Sequence, residues 1–340
     1  MIVHICCSVD SWYFLTRLSE KYPNEALVGF FYNPNICPRS EYLSRMIDAK
    51  RCCDRLNIAF LEGEYDIDGF AAAARGLEDE PEKGARCAAC FDMRLERTAK
   101  EAARLGEKRF SSTLLISPKK DLGQLKAAAR KIADKYGLEF VFEDFRKGGG
   151  TQAAFALARE KEAYFQNYCG CAWGLARQRA AQGRIAAELI YPIDGSRSAA
   201  DLRLEALNLR ARLEKGGERA ALYRTKIMEW RLLSAVLIGE NGSSIACDVA
   251  PYSARLKTKS RLIGVAKGIA RFEKAAGFVV ERSIASGADA RGVLGLGKTD
   301  VTPIFVTREL PSGIVTGAIE SVFCEAESLT ASAVSNEEKF

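Results

Sequence analysis

Along the first half of the chain, short runs of β-branched and aromatic residues alternate with segments whose apolar positions recur every three or four residues. The strand-like runs are IVHIC from Ile2, LVGFFYN from Leu27, IAFLEG from Ile58, FSSTLLI from Phe110 and EFVFED from Glu139. Between them, Tyr42, Met46, Ala49, Cys53 and Leu56 share one helical face, and Phe91, Leu95, Ala99 and Ala102 a second. Leu122, Leu125, Ala129, Ile132 and Tyr136 form a third. This alternation predicts an α/β fold, a mostly parallel Rossmann-like or HUP-like sheet wrapped by helices. Such sheets carry their sites in the crevice beyond the C-terminal strand ends. The rule gathers four segments onto one rim: Cys6–Cys7 after the first strand, YNPNICP after the second, ISPKKD after the fourth and DFRKGGG after the fifth.

The second half differs. DLRLEALNLRARLEK and ERAALYRTKIMEW predict charged helices, a helical linker over residues 196–232. LLSAVLIGENGSSIACDV, with its Asn-Gly turn signal, then FVVERSI, PIFVTREL and IVTGAIESVF predict a small β-rich domain over 233–330. The polar tail, 331–340, is expected to fray. GVLGLGKT, from Gly292 to Thr299, satisfies the P-loop spacing, but that loop works only between a strand and a helix. DVTPIFVTREL follows it, and Pro303 and the β-branched residues cannot readily start a helix. It is a glycine-rich turn on this reading.

At 340 residues the chain exceeds one typical domain, and its composition, 48% apolar and 28% charged, is ordinary for a soluble protein. No apolar run reaches the ~18 residues that span a bilayer. MIVHICC begins with neither a basic region nor a cleavage site, so a cytoplasmic protein is expected. In that compartment eleven cysteines are not a disulfide framework, and clustered ones point to metal or redox chemistry. The net charge of +6 permits a polyanionic partner without requiring one.

Six of the cysteines fall into three tight pairs, Cys6 with Cys7, Cys87 with Cys90, and Cys169 with Cys171. Soft thiolates favour iron–sulfur clusters, zinc or copper. Six thiols exceed one tetrahedral zinc site, whereas a cubane of four irons takes four and leaves two. Cys52, Cys53, Cys247 and Cys324 are assigned to packing, and His4, inside the first strand, to the core.

HICCSVDS, FFYNPNICPRSEYLSR, RCAACFDMRLERTA, FSSTLLISPKKD, DFRKGGG and YCGCAWG occur in that order, and over residues 1 to about 185 the chain resembles the epoxyqueuosine reductase family QueH. It departs from the family at Cys37, where histidine is usual, and lacks the usual proline before Asp10. Beyond about residue 190 no resemblance is found.

The resemblance implies an enzyme that reduces epoxyqueuosine in tRNA to queuosine, the last step of that pathway. It further implies a [4Fe–4S] cluster and, beside it, a second iron or a redox-active thiol pair. Removing an epoxide oxygen takes two electrons and a group to receive the oxygen, while one cluster normally cycles by one electron, so a second centre or Lewis acid is expected. On this basis Cys6, Cys7, Cys87 and Cys90 are assigned to the cluster. Cys169 and Cys171 form the second centre, either as a strained, easily reduced disulfide or as ligands of a mononuclear iron together with Asp10. Residues 1–195 then hold every ligand and are expected to fold alone.

Arg39, Arg45, Arg86, Arg94, Lys119, Lys120, Arg146 and Lys147 lie in or beside the motif loops and would suit the phosphates of an anticodon stem-loop. The aromatics of YCGCAW and YNPN would stack on an unstacked base. The electron donor is not identified by the sequence. Two rival readings are a PP-loop tRNA-thiolating ATPase, in which CCSVDS replaces the glycine-rich phosphate loop, and a non-catalytic zinc-stabilised RNA-binding module. Iron with acid-labile sulfide favours the reductase; zinc alone favours the module.

Overall fold

A computed structural model describes the chain except residues 119, 191, 194–197, 252, 287–288, 298–299 and 335–340. The chain divides into two compact units. The first joins Met1–Ala186 to Leu204–Leu222 and to the strand end from Ala331; the second takes Ala187–Arg203 and Tyr223–Thr330.

The first unit is built on five parallel strands, β1 (Ile2–His4), β2 (Val28–Phe31), β3 (Ala59–Glu62), β4 (Arg109–Ser112) and β5 (Glu139–Phe140). Their order is β3-β2-β1-β4-β5, and each overlaps one of the five runs read from the sequence, β4 starting one residue before its run. The helices are α1 (Ser8–Lys21), α2 (Arg39–Arg55), α3 (Ile67–Ala73), α4 (Ala85–Arg104), α5 (Leu122–Tyr136), α6 (Gly150–Glu160), α7 (Ala172–Ala181) and α8 (Ala199–Lys215). The three apolar stripes are the inner faces of α2, α4 and α5. Asp121 caps α5 by accepting from the Gln124 N–H, and Gly137, at φ 62°, closes it. A side chain at Gly29 would stand 2.5 Å from Ile5 Cδ1 and 2.9 Å from Cys53 Sγ, so glycine lets α2 settle onto β2. Cys52 and Cys53 are buried in that contact. Strand order reverses between β1 and β4, which makes their C-terminal ends the topological switch point.

The expected helical linker over 196–232 is half right. Its first part is α8, but ERAALYRTKIMEW opens a long strand, β6 (Arg219–Gly239). From Arg224 to Arg231 exposure alternates strictly. Arg224, Lys226, Met228 and Trp230 face outward, and Thr225, Ile227, Glu229 and Arg231 inward. Two of the inward residues are charged and pair with each other, which hid the period of two. The remaining strands are β7 (Ser244–Ala246), β8 (Asp248–Val249), β9 (Leu256–Ala266), β10 (Ile269–Phe272), β11 (Phe278–Glu281), β12 (Ile304–Thr307) and β13 (Ile314–Val334). They form an eight-stranded mixed sheet in the order β7-β6-β13-β9-β10-β11-β12-β8. Leu237, Phe272, Phe305, Val315 and Ile319 fill a core against it. Residues 331–334 complete β13 where fraying was expected.

GVLGLGKT begins within a single helical turn, α9 (Ala290–Val293), and the next regular element is β12. A P-loop needs a helix at that point. Its Lys298 and Thr299 lie outside the described residues. No helix among the described residues is long and apolar enough to cross a membrane.

A candidate redox and metal site at the sheet crossover

Leaving β1, the chain turns at Cys6 and starts α1 with Cys7 as its N-cap residue. Neighbours in a strand face opposite ways. The turn instead brings the two sulfurs within 3.7 Å. Asp10, in the first turn of α1, returns to the same spot and sets Oδ2 3.2 Å from Cys6 Sγ. The ligand atoms of Cys6, Cys7 and Asp10 all lie within 4.8 Å of one another. Thr113, just past β4, ties the turn across the crossover. Its hydroxyl accepts from the Cys6 N–H at 3.1 Å and donates to Cys6 Sγ at 3.3 Å.

These groups share their protons unevenly. The hydrogen bond from Cys7 lowers the Cys6 thiol to about 5 against the effect of burial, and Arg94, Thr113 and Asp10 act in the same direction. Cys7 is pushed up by that same bond and by burial. Asp10 is pushed up by burial and by the charge on Cys6. The trio thus concentrates its negative charge on Cys6, while Cys7 and Asp10 hold their protons more tightly than usual, and binding a cation would favour release of those protons. His4 is packed between Ser112, Tyr32 and Arg94, and burial followed by the charge of Arg94 keeps it neutral.

The other four cysteines surround a single pocket. Cys87 and Cys90 occupy the start of α4, and Cys171 is the N-cap residue of α7 with Cys169 two positions before it. All four line the pocket together with Asn35 and Lys120. Gly170, between the last two thiols, has φ +109°, and a Cβ there would stand 2.8 Å from Ile36 Cγ1. Only glycine fits that bend. Arg45 fastens it by donating to the carbonyls of Tyr168 at 2.9 Å and Cys169 at 3.1 Å. The Cys37 N–H donates to the Gly170 carbonyl at 2.9 Å. Burial raises the Cys90 thiol, opposed by Arg94 and Lys120, and raises Cys171 to about 11. Gly170→Ala is expected to cost about 1–3 kcal/mol of stability through backbone strain alone. Urea unfolding beside the isolated thiol titre would check it.

In one of the two forms expected for the second centre, Asp10 joins Cys169 and Cys171 on an iron. It stands instead against Cys6, because the bend at the N-cap Cys7 folds Cys6 back over the first turn of α1, where Asp10 lies. Cys169 and Cys171 are free thiols here. The four-sulfur pocket fits the ligand demand of a [4Fe–4S] cluster, with Arg94 and Lys120 beside it to offset negative charge. The smaller S,S,O group fits a single iron. The grouping thus differs from the expectation that joined Cys6 and Cys7 to Cys87 and Cys90.

The basic residues divide. Arg45 and Arg94 are buried and committed to internal acceptors, Arg45 to Glu41 and the Cys169 segment, Arg94 to Asn33 at 2.5 Å. Arg86 is buried too and donates to the carbonyls of Leu77 and Glu78. These three hold the cysteine-bearing segments together, which corrects their assignment to phosphates. Arg146 is half-buried, reaching the carbonyls of Ser117 and Lys120. Arg39 and Lys147 are exposed. Lys119 lies outside the described residues.

Sequence reasoning missed the support beneath the site. Asp48 on α2 accepts from the hydroxyl of Ser8, the residue after Cys7, and from the Tyr164 N–H at 2.6 Å. Arg210 of α8 pairs with the same carboxylate and donates to the Glu162 carbonyl at 2.6 Å. Thr113 was hidden because the predicted strand FSSTLLI runs through it, whereas β4 ends one residue earlier, at Ser112. Nothing in the sequence pattern marks Arg210.

A parallel α/β sheet whose switch point carries two thiols and a carboxylate, with a four-thiol pocket besides, is the class of site at which thiol or metal chemistry could be housed. It does not define an ATPase, because Cys6, Cys7 and Asp10 fill the turn where a phosphate loop would lie. The family described as epoxyqueuosine reductase QueH matches residues 1–177. A Helicobacter pylori protein named epoxyqueuosine reductase QueH is 42% identical over 271 residues, 77% of this chain and 73% of that one. Proteins of the same name from Thermotoga maritima and Acinetobacter baylyi are 37% and 38% identical, each over 54% of this chain and over 95% and 85% of their own lengths. The chain belongs to the epoxyqueuosine reductase QueH family and is an oxidoreductase. The Helicobacter alignment is long enough to extend well past residue 177.

Proposed function

We propose that this protein reduces epoxyqueuosine in tRNA to queuosine, with a [4Fe–4S] cluster on Cys87, Cys90, Cys169 and Cys171 and a single iron on Cys6, Cys7 and Asp10. The observation that carries the reading is a pair of ligand groups, Cys6, Cys7 and Asp10 at the switch point and the pocket of Cys87, Cys90, Cys169 and Cys171, with Arg94 and Lys120 acting electrostatically on both. The overall change is an epoxide, two electrons and two protons giving an alkene and water. When bound, the cluster would pass single electrons and the iron would act as a Lewis acid toward the departing oxygen.

The chain's own residues prepare the site. Cys7 keeps Cys6 ionised, so one soft ligand is ready without a proton to lose. Thr113 fixes the Cys6 sulfur across the crossover. Arg94 lies against Cys90 at 3.8 Å and bonds to Asn33, joining α4 to the loop after β2. Lys120 borders the thiol pocket and is the cation that favours the charged form of Asp10. Asn35 lines the pocket with a buried carbonyl oxygen that has no partner, a place for a donor of the substrate.

The test is anaerobic purification with iron and sulfide counts, EPR of the reduced protein, and turnover of epoxyqueuosine-containing tRNA with a chemical reductant. About five irons and four sulfides per chain are expected, with conversion to queuosine. Colourless protein with stoichiometric zinc and no turnover would sink the reading.

A further inference from the structure

The second unit carries a charged surface that the redox site does not use. On β9, Lys257, Lys259 and Arg261 are exposed, while Thr258, Ser260 and Leu262 turn inward. The alternation puts three cations on one side of the sheet, successive ones about 6.8 Å apart. Directly opposite them on β13 stand Ala318, Thr316 and Ile314, so no carboxylate faces the row across that ladder. The row continues to Ile263, which pairs with Arg271 of β10, also exposed. Among the described residues none of the four cations makes an ion pair. The opposite face of these strands packs inward through Phe272, Val315 and Ile319, so the row stands on a rigid support.

Like charges on one sheet face repel, and sheets commonly offset them with an opposite charge across the ladder. Here the facing residues on β13 are small or neutral. On the other side a single carboxylate, Glu273, whose N–H donates to the Arg261 carbonyl at 3.0 Å, stands beside the row without forming an ion pair with it, so the stripe stays net positive. Flexible loop lysines titrate solvent freely, but strand side chains at fixed spacing present a track. A polymer with regularly repeated negative charge matches it better than a single anion does.

We infer that this face of β9 and β10 docks the phosphate backbone of RNA, resting on the reading that tRNA is the substrate. Contacts of that kind add affinity through counterion release without base specificity. The surface would therefore govern capture of the tRNA body and leave the chemistry at the thiols untouched.

The test uses the full-length holoprotein and the triple variant Lys257→Gln, Lys259→Gln, Arg261→Gln, with Lys257→Arg, Lys259→Arg as the charge-preserving control. The residues are exposed and unpaired, so circular dichroism and iron content should match the wild type. tRNA binding is measured against salt concentration, and turnover at limiting and saturating tRNA. Losing three phosphate contacts should shrink the log–log salt slope by about 2 to 3 and weaken binding by about tenfold or more near 0.1 M salt. KM for tRNA should rise in parallel, kcat should hold, and the arginine control should behave as wild type. If wild-type protein turns over tRNA and the triple variant shares its salt slope and KM, the inference is overturned and the functional reading stands. If wild-type protein neither binds nor turns over tRNA, both fall. If the variant loses binding only to vesicles of anionic phospholipid, the face is a membrane surface and the inference is overturned.

Discussion

Cys90→Ser should bleach the protein and remove the cubane EPR signal, whereas Asp10→Asn should keep both and lose only the additional iron. Cys90 borders the pocket with Cys87, Cys169 and Cys171, while Asp10 lies against Cys6. Turnover should fall in each case by at least about a hundredfold, because changes merely next to metal ligands already cost 10- to 100-fold. The discriminating measurement is iron and sulfide per chain on the same samples used for single-turnover assays. Asn is close in size to Asp and keeps an oxygen toward Cys6, so a gross packing defect is not expected from it. An Asp10→Asn protein that loses the whole cluster, beside a Cys90→Ser protein that keeps it, would reverse the division of the thiols. That outcome would restore Cys6 and Cys7 to the cluster without touching the family assignment.

What could be read beforehand follows from which interactions are periodic. The five strands of the first unit were legible as short β-branched and aromatic runs, and the inner faces of α2, α4 and α5 because burial repeats every three or four residues along each. The rim rule gathered the segments that carry Cys6, Asn35 and Lys120, since strand direction alone decides where those loops go. Which thiol faces which was not legible. Asp10 joins Cys6 through one turn of helix after a bend, and that bend is a three-dimensional fact about the N-cap. Arg45 and Arg94 looked like surface charges because a sequence does not show that Glu41 and Asn33 await them inside. β6 was misread for a related reason, its inward Glu229 and Arg231 being satisfied by each other. The order of the second unit's strands, with β6 and β13 adjacent although far apart in sequence, has no local signature at all.

A chain ending near residue 195 was expected to fold and keep its ligands, since every candidate precedes that point. The structure points the other way. Arg210 of α8 is fully buried against Asp48, and Arg51 of α2 holds Glu214 of α8 through two hydrogen bonds, at 2.7 and 2.8 Å. Removing α8 leaves the Asp48 carboxylate buried without its counter-ion, a change that costs about 3–5 kcal/mol for a broken buried pair. That is a large share of the ~5–15 kcal/mol that holds a typical domain together. The loss is transmitted to the site because Asp48 also holds Ser8, directly after Cys7. Truncation at 195 is therefore expected to unfold the domain at much lower urea and to yield little iron. Arg210→Met isolates the cause with the rest of the chain intact, and should lower stability by about 3–5 kcal/mol. Adding Asp48→Asn to it should recover part of that loss, since the unpaired charge is then gone, although the bonds to Ser8 and Tyr164 weaken. Equilibrium urea unfolding of the three variants, with iron counts on each, decides it. An Arg210→Met protein within about 1 kcal/mol of wild type would mean that α8 merely covers the first unit, and that Asp48 is neutralised by Arg51 at 3.7 Å instead.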